Sequence, residues 1–203
     1  MPVPSIAVCC SGQGTNLQAI LRAIRRRTLR AQVAVVVSDR PRAMALKRAR
    51  AAGIPTVILD SRRYPERKDF DKALARVVDK SHARLIVLAG FMRILSAPLV
   101  RRYRGRILNV HPALLPAFPG THAVRDALAF GVKVTGVTVH FVDEQVDHGP
   151  IVAQAPVSVR GGDSEESLLA RIHRVEHRLY PQAIGWVLEG KVKVVGRKVH
   201  CLP

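Results

Sequence analysis

Four largely apolar stretches, at residues 6–10, 33–37, 56–59 and 84–89, constrain this chain's fold more than any other feature. Between them apolar residues recur at helical spacing, as in Leu17, Ile20, Leu21 and Ile24, or Phe70, Leu74, Val77 and Val78. A strand that is apolar throughout, instead of at alternate positions, is buried on both faces, as happens when helices cover a parallel sheet. The pattern predicts a Rossmann-like α/β fold, with a mostly parallel central sheet flanked by helices. Helices are expected near 42–52, stopped by Gly53, then at 67–80 and 121–130. Further strands are expected at 134–142 and from 151, and a terminal hairpin around Gly196. The longest helix should run from Asp163 to about Leu188. Asp163 and Glu166 have capping-box spacing, Leu168, Leu169, Ile172, Val175 and Leu179 form a stripe, and Pro181 should kink or divide it.

The 203 residues, 48% of them hydrophobic, suit one large domain or two intimate half-domains. No apolar run approaches membrane-spanning length, and the first residues lack the layout of a signal peptide. Cysteines are three, and Cys9 and Cys10 are adjacent, so no disulfide framework is implied and the cytoplasm is the expected location. The net charge of +18 invites a nucleic-acid reading, and a basic RNA-binding protein is the alternative from another functional class. Against it, the basic residues spread over the expected helices, aromatic residues are only 4%, and no zinc-finger spacing or stacking platform accompanies them. Attraction of anionic substrates follows on either reading.

The richest stretch is residues 106–112. Ile107, Leu108 and Val110 make it a buried strand, so Asn109 and His111 share a face where the strand opens into a Pro/Gly loop. An amide donor beside an imidazole suits a developing oxyanion, although a core histidine bonded to an asparagine would look the same. After the first strand, Ser11-Gly12-Gln13-Gly14-Thr15-Asn16 turns into a helix and would aim free N–H groups at an anion. Leu17 stands where a dinucleotide fingerprint needs glycine, and the lysine of a nucleotide P-loop is lacking. This turn, the loop 90–95 and the Asn109/His111 pair all follow strands, and ligands of such sheets sit at those ends. In the loop 143–150, Asp147 precedes the Gly149-Pro150 turn and is the acid best placed to meet an imidazole. His173, Glu176 and His177 spell an inverted zinc-peptidase motif, but the only carboxylate downstream is Glu189, so no metal is expected.

In order, the stretches 11–18, 88–95, 109–116, 136–140 and 147–151 make the chain resemble the glycinamide ribonucleotide formyltransferases, folate-dependent enzymes of purine synthesis. The resemblance covers residues 5–190. It implies a single formyltransferase domain over 1–203, with a phosphate-binding half to about residue 104 and a catalytic, folate-binding half from about 105. The implied reaction is formyl transfer from 10-formyltetrahydrofolate to the amine of glycinamide ribonucleotide, without a metal. The implied catalytic residues are Asn109, His111 and Asp147, with Asp147 expected to raise the His111 pKa and keep the ring cationic. Gly14, Thr15, Asn16 and Glu176 would bind the ribonucleotide. Arg67, Met92, Arg93, Ile94, Leu95, Val142, Asp143 and Asp147 would bind the reduced folate. Departures from the family pattern are Ala113 for serine, Thr15 for serine, and His148 at a variable place. Methionyl-tRNA formyltransferase shares the catalytic half but adds a C-terminal domain. Formyltetrahydrofolate hydrolase adds an N-terminal one, which a first strand near residue 5 would leave out. No membrane or nucleic-acid partner is expected, and a homodimer is left open.

Overall fold

Parallel strands need crossover connections, and here α-helices provide them. The protein is a computed structural model that describes residues 2–202. Strands β1 (Ser5–Cys10), β2 (Gln32–Ser38) and β3 (Thr56–Ile58) step outward in one direction, joined by α1 (Thr15–Arg25) and α2 (Met44–Ala51). Helix α3 (Arg67–Ser81) then carries the chain back to β4 (Leu85–Leu88) on the other side of β1. After the short helix α4 (Ala97–Arg102), β5 (Ile107–His111) adds in parallel to β4. The sheet order is β3-β2-β1-β4-β5-β6-β7, so the order reverses between β1 and β4 and leaves a crevice at their carboxyl ends.

The last two strands, β6 (Val134–Phe141) and β7 (Ile151–Ser158), pair antiparallel, preceded by α5 (Ala123–Phe130). The loop between them is too short for a crossover, so they form a hairpin that returns the chain to the same rim. The sheet is therefore mostly parallel, with six of its seven strands running one way and β6 alone against them. Alternation along β1 divides the core: Ile6, Val8 and Cys10 pack with residues of α1, α2 and α6, while Ala7 and Cys9 pack with α3 and α4.

Helix α6 (Glu165–Leu188) continues as one helix through Pro181, so the chain does not divide there. A proline inside a helix costs about 3 kcal/mol, but Leu179, Tyr180, Ala183 and Ile184 on either side are buried, and this packing outweighs it. The Tyr180 hydroxyl also lies 2.9 and 3.0 Å from the carbonyl oxygens of Leu88 and Leu108, which pins α6 against β4 and β5. The helix cap sits one residue later than expected. Ser164 and Ser167 form the reciprocal box, while Asp163 accepts from the Arg160 N–H, the Ser167 hydroxyl and Arg171. Beyond α6 the hairpin β8 (Val192–Val195) and β9 (Lys198–Cys201) turns at Gly196 and Arg197. Among the described residues, no helix is long and apolar enough to cross a membrane.

Gly14 caps α1 with φ +69°, and a β-carbon there would lie 2.7 Å from the Ala45 β-carbon of α2. Both conformation and space demand glycine. Gly14→Ala should therefore destabilise the fold by at least about 1–2 kcal/mol, read as a lower midpoint in urea unfolding with an unchanged slope. An unchanged midpoint would show that the turn and α2 yield freely.

Candidate active site

At the carboxyl ends of β4 and β5 lies a cavity of about 430 Å³. Asn109, His111, His140 and Asp147 line its inner wall. Its outer wall combines the loop 90–95 with residues 142–147, so Met92, Arg93, Ile94, Leu95, Val142 and Asp143 all border it. Met92 and Ile94 are 56% and 54% exposed, unusual for such side chains, and form an apolar lip suited to a flat ring system. Arg93 crosses Phe70 at 4.3 Å, so its guanidinium is stacked on that ring. Arg67 lies exposed in the first turn of α3 and is not among the residues bordering the cavity.

Asp147 joins the pieces. Its backbone has φ +51°, a left-handed conformation that points the carboxylate inward from the loop. Oδ2 accepts from the Gly120 N–H at 2.8 Å and lies 3.3 Å from His111 Nδ1. Oδ1 accepts from Asn109 Nδ2 at 3.4 Å and lies 3.7 Å from His140 Nε2. Burial alone would raise the Asp147 pKa, but the neighbouring His140 and His111 rings and the bond from the Gly120 N–H outweigh it and lower the pKa. The carboxylate is therefore ionised at neutral pH.

His111 departs from expectation. Burial is the largest influence on its pKa and lowers it; Asp147 and the Phe118 carbonyl raise it, and His140 adds to the lowering. Asp147 is close, as foreseen, yet the net direction is downward and the free ring is neutral near pH 7. Its Nε2 lies 2.8 Å from the Phe118 carbonyl oxygen, which can only accept, so the partners assign the proton to Nε2. The lone pair of Nδ1 then faces Asp147 Oδ2. Two acceptors 3.3 Å apart leave a place where one additional proton would bond to both.

His140 was not foreseen as a site residue. Its Nδ1 donates to the Phe141 carbonyl at 2.8 Å, leaving Nε2 to accept from Asn109 Nδ2 at 3.2 Å. That bond fixes which way the Asn109 amide faces. The cause is strand register, since β6 pairs antiparallel with β5 and places His140 directly opposite Asn109. The sequence showed both residues but not their pairing. Phe118 and Gly120, whose backbone groups hold His111 and Asp147, belong to an irregular loop with no periodic signal.

The glycine turn lies at the neighbouring strand end and is tied to the cavity. Ser11 N–H donates to the Gly90 carbonyl at 2.9 Å, and its hydroxyl accepts from the Met92 N–H at 2.8 Å. The first turn of α1 carries no acid, so its positive end is uncompensated around Gly14, Thr15 and Asn16. Asn16 Nδ2 donates to Glu176 Oε2 at 2.8 Å, bringing together two of the expected binding residues from opposite ends of the chain. Glu176 is 4% exposed; burial pushes its carboxyl up, against the Asn16 bond and His173. The Asn16 Oδ1 is buried with no partner. An acceptor pair of this kind awaits ligand N–H or O–H groups. Because Glu176 turns to Asn16 while the His173 and His177 rings stack at 5.9 Å, the peptidase-like motif is used for other contacts. Among the described residues, no group of three or more His, Cys, Asp or Glu is placed to hold a metal.

Residues 5–184 match the model of the family described as formyl transferase. Phosphoribosylglycinamide formyltransferase of Escherichia coli is 43% identical over 94% of this chain and 90% of its own length. The trifunctional purine biosynthetic protein adenosine-3 of Gallus gallus is 46% identical over 93% of this chain. This chain spans only 19% of that protein, and 14% of its fly counterparts. The crystal structure of glycinamide ribonucleotide transformylase 1 from Symbiobacterium toebii superposes with a TM-score of 0.97 at 49% identity, covering 99% of this chain and 95% of that one.

The geometry sets an expectation for titration. The His111 ring should titrate by NMR with a midpoint below 6.5, and Asp147→Asn, which removes the carboxylate charge that raises it, should move the midpoint lower still. A midpoint above 6.5 in the unliganded protein would mean that Asp147 outweighs burial.

Proposed function

The chain belongs to the formyl transferase family, and from that premise we propose that it transfers the formyl group of 10-formyltetrahydrofolate to the amine of glycinamide ribonucleotide. The observation that carries the proposal is Asp147, which meets His111 at 3.3 Å and Asn109 at 3.4 Å on the wall of an apolar-lipped cavity. Attack of an amine on a formyl carbon puts negative charge on oxygen and leaves a surplus proton on nitrogen. The site has an answer to each.

The 3.4 Å contact between Asn109 and Asp147 is long for a hydrogen bond, so that N–H can turn to a formyl oxygen at little cost while His140 holds the other. The surplus proton enters the gap between His111 Nδ1 and Asp147 Oδ2. The ring thereby becomes cationic only as the oxyanion forms, and the new charge stabilises it. When the intermediate collapses, the same proton is returned to the departing folate nitrogen, and the pair is restored. Water is kept away by the buried inner wall and by the ligand itself.

The remaining residues bind. Around Gly14, Thr15 and Asn16 the uncompensated end of α1 suits a phosphate, and Glu176 with Asn16 Oδ1 accepts from hydroxyl or amine groups of the ribonucleotide. Met92 to Leu95 and Val142 to Asp143 would clasp the folate ring, and Arg67 would act from outside the cavity on its anionic tail. On this reading the half to about residue 104 supplies the phosphate site and the half from about 105 the chemistry.

Tetrahydrofolate release should depend on added glycinamide ribonucleotide. Asn109→Ala and His111→Ala should each retain the fold, by circular dichroism, and lose about 10²–10³ in turnover. Release without any acceptor would indicate hydrolysis, and unchanged turnover in either variant would remove that residue from the chemistry.

A further inference from the structure

Asp147 can work only if its loop holds a conformation that L-residues rarely adopt. Its φ of +51° costs about 1–2 kcal/mol, so something must hold the backbone there. On one side the loop is closed by Gly149, where any β-carbon would strike the Phe141 carbonyl, and by the Phe141 N–H, which donates to the Pro150 carbonyl at 2.9 Å. On the other side the restraint comes from outside the site.

Arg197, at the tip of the β8–β9 hairpin, reaches the residue next to Asp147. Its Nη2 donates to the His148 carbonyl at 2.8 Å, and its Nη1 lies against the imidazole, 2.8 Å from Nε2 and 3.0 Å from Nδ1. Nδ1 also lies 2.8 Å from Asp143 Oδ2. The Asp143 carboxylate can only accept, so the ring donates to it from Nδ1. Asp143 Oδ1 in turn accepts from the Gln145 N–H at 3.0 Å. One guanidinium thus grips His148 by both its carbonyl and its ring, and the ring passes the restraint across the loop to Asp143.

We propose that Arg197 is a positioning residue for formyl transfer, a latch by which the C-terminal hairpin fixes Asp147 and the folate-facing loop. The inference rests on the proposed function for its kinetic consequence, but its structural part does not. A guanidinium is needed because its two terminal nitrogens reach the His148 carbonyl and the imidazole at once, which a lysine ammonium in the same place does poorly.

The test compares wild type with Arg197→Ala, Arg197→Lys and a control in the same hairpin, Lys193→Ala. Because the contacts are partly exposed, Arg197→Ala should raise KM for 10-formyltetrahydrofolate and lower kcat by a combined factor of about three to ten in kcat/KM. KM for the ribonucleotide and the melting temperature should stay unchanged, Arg197→Lys should recover only part of the loss, and Lys193→Ala should behave as wild type. Hydrogen exchange at residues 142–149 should quicken in Arg197→Ala. If His148→Ala produces the same defect, the double variant should be no worse than either single one, since both remove one connection. Unchanged exchange at 142–149 would overturn the latch whatever the activity. Quickened exchange with kinetics equal to wild type would overturn its role in the reaction. Wild-type protein without ribonucleotide-dependent transfer would instead refute the proposed function and leave the latch to be judged by exchange alone.

Discussion

A largely buried carboxylate has to find donors, and satisfying Asp147 organises this molecule's working end. The Gly120 N–H of the 112–122 loop and the Asn109 amide of β5 donate to it, while ring nitrogens of His111 and His140 lie 3.3 and 3.7 Å away. Each must be in place for the charge to remain in a site with little water. The loop 142–149, the antiparallel return of β6 and β7, and the left-handed backbone at Asp147 all serve that meeting. Removing the carboxylate would leave Asn109 with only His140 to define its amide, so the damage would spread beyond one group.

The sheet explains why the meeting happens where it does. Because β4 returns to the far side of β1, the two strand ends diverge and their following loops cannot fill the space between them. The glycine turn after β1 and the loop after β4 border that crevice, with Ser11 bonding to both Gly90 and Met92 across it. On the proposed function, anion binding and carbonyl chemistry thereby become neighbours on one rim. Helix α6 closes the arrangement from beneath, bringing Glu176 to Asn16 and Tyr180 to the carbonyls of β4 and β5.

Much of this was legible in the amino-acid sequence because the signals were local. Continuous apolar runs marked the buried strands, and the period-two rule placed Asn109 and His111 on one face. What remained hidden depended on contacts between distant segments. Strand register alone places His140 against Asn109, and no pattern within either strand shows it. Pro181 does not divide its helix because its local cost, visible in the sequence, is outweighed by the burial of its neighbours, which is not. The charge state of His111 misled for a similar reason: the attraction of Asp147 was anticipated, but the larger effect of burial came from the assembled fold. The Arg197 latch joins the C-terminal hairpin to a loop some fifty positions earlier, and only the folded chain brings them together.

On the proposed mechanism, His111 and Asp147 face each other, before reaction, without the proton they are built to receive. Nitrogen-15 NMR of the imidazole, in protein without ligands near pH 7.5, reads this directly. The expected spectrum shows His111 neutral, with its hydrogen on Nε2 beside the Phe118 carbonyl and a bare Nδ1 toward Asp147. A protonated Nδ1 under those conditions would mean that the gap is already filled, and the pair could not accept the proton shed by the attacking amine.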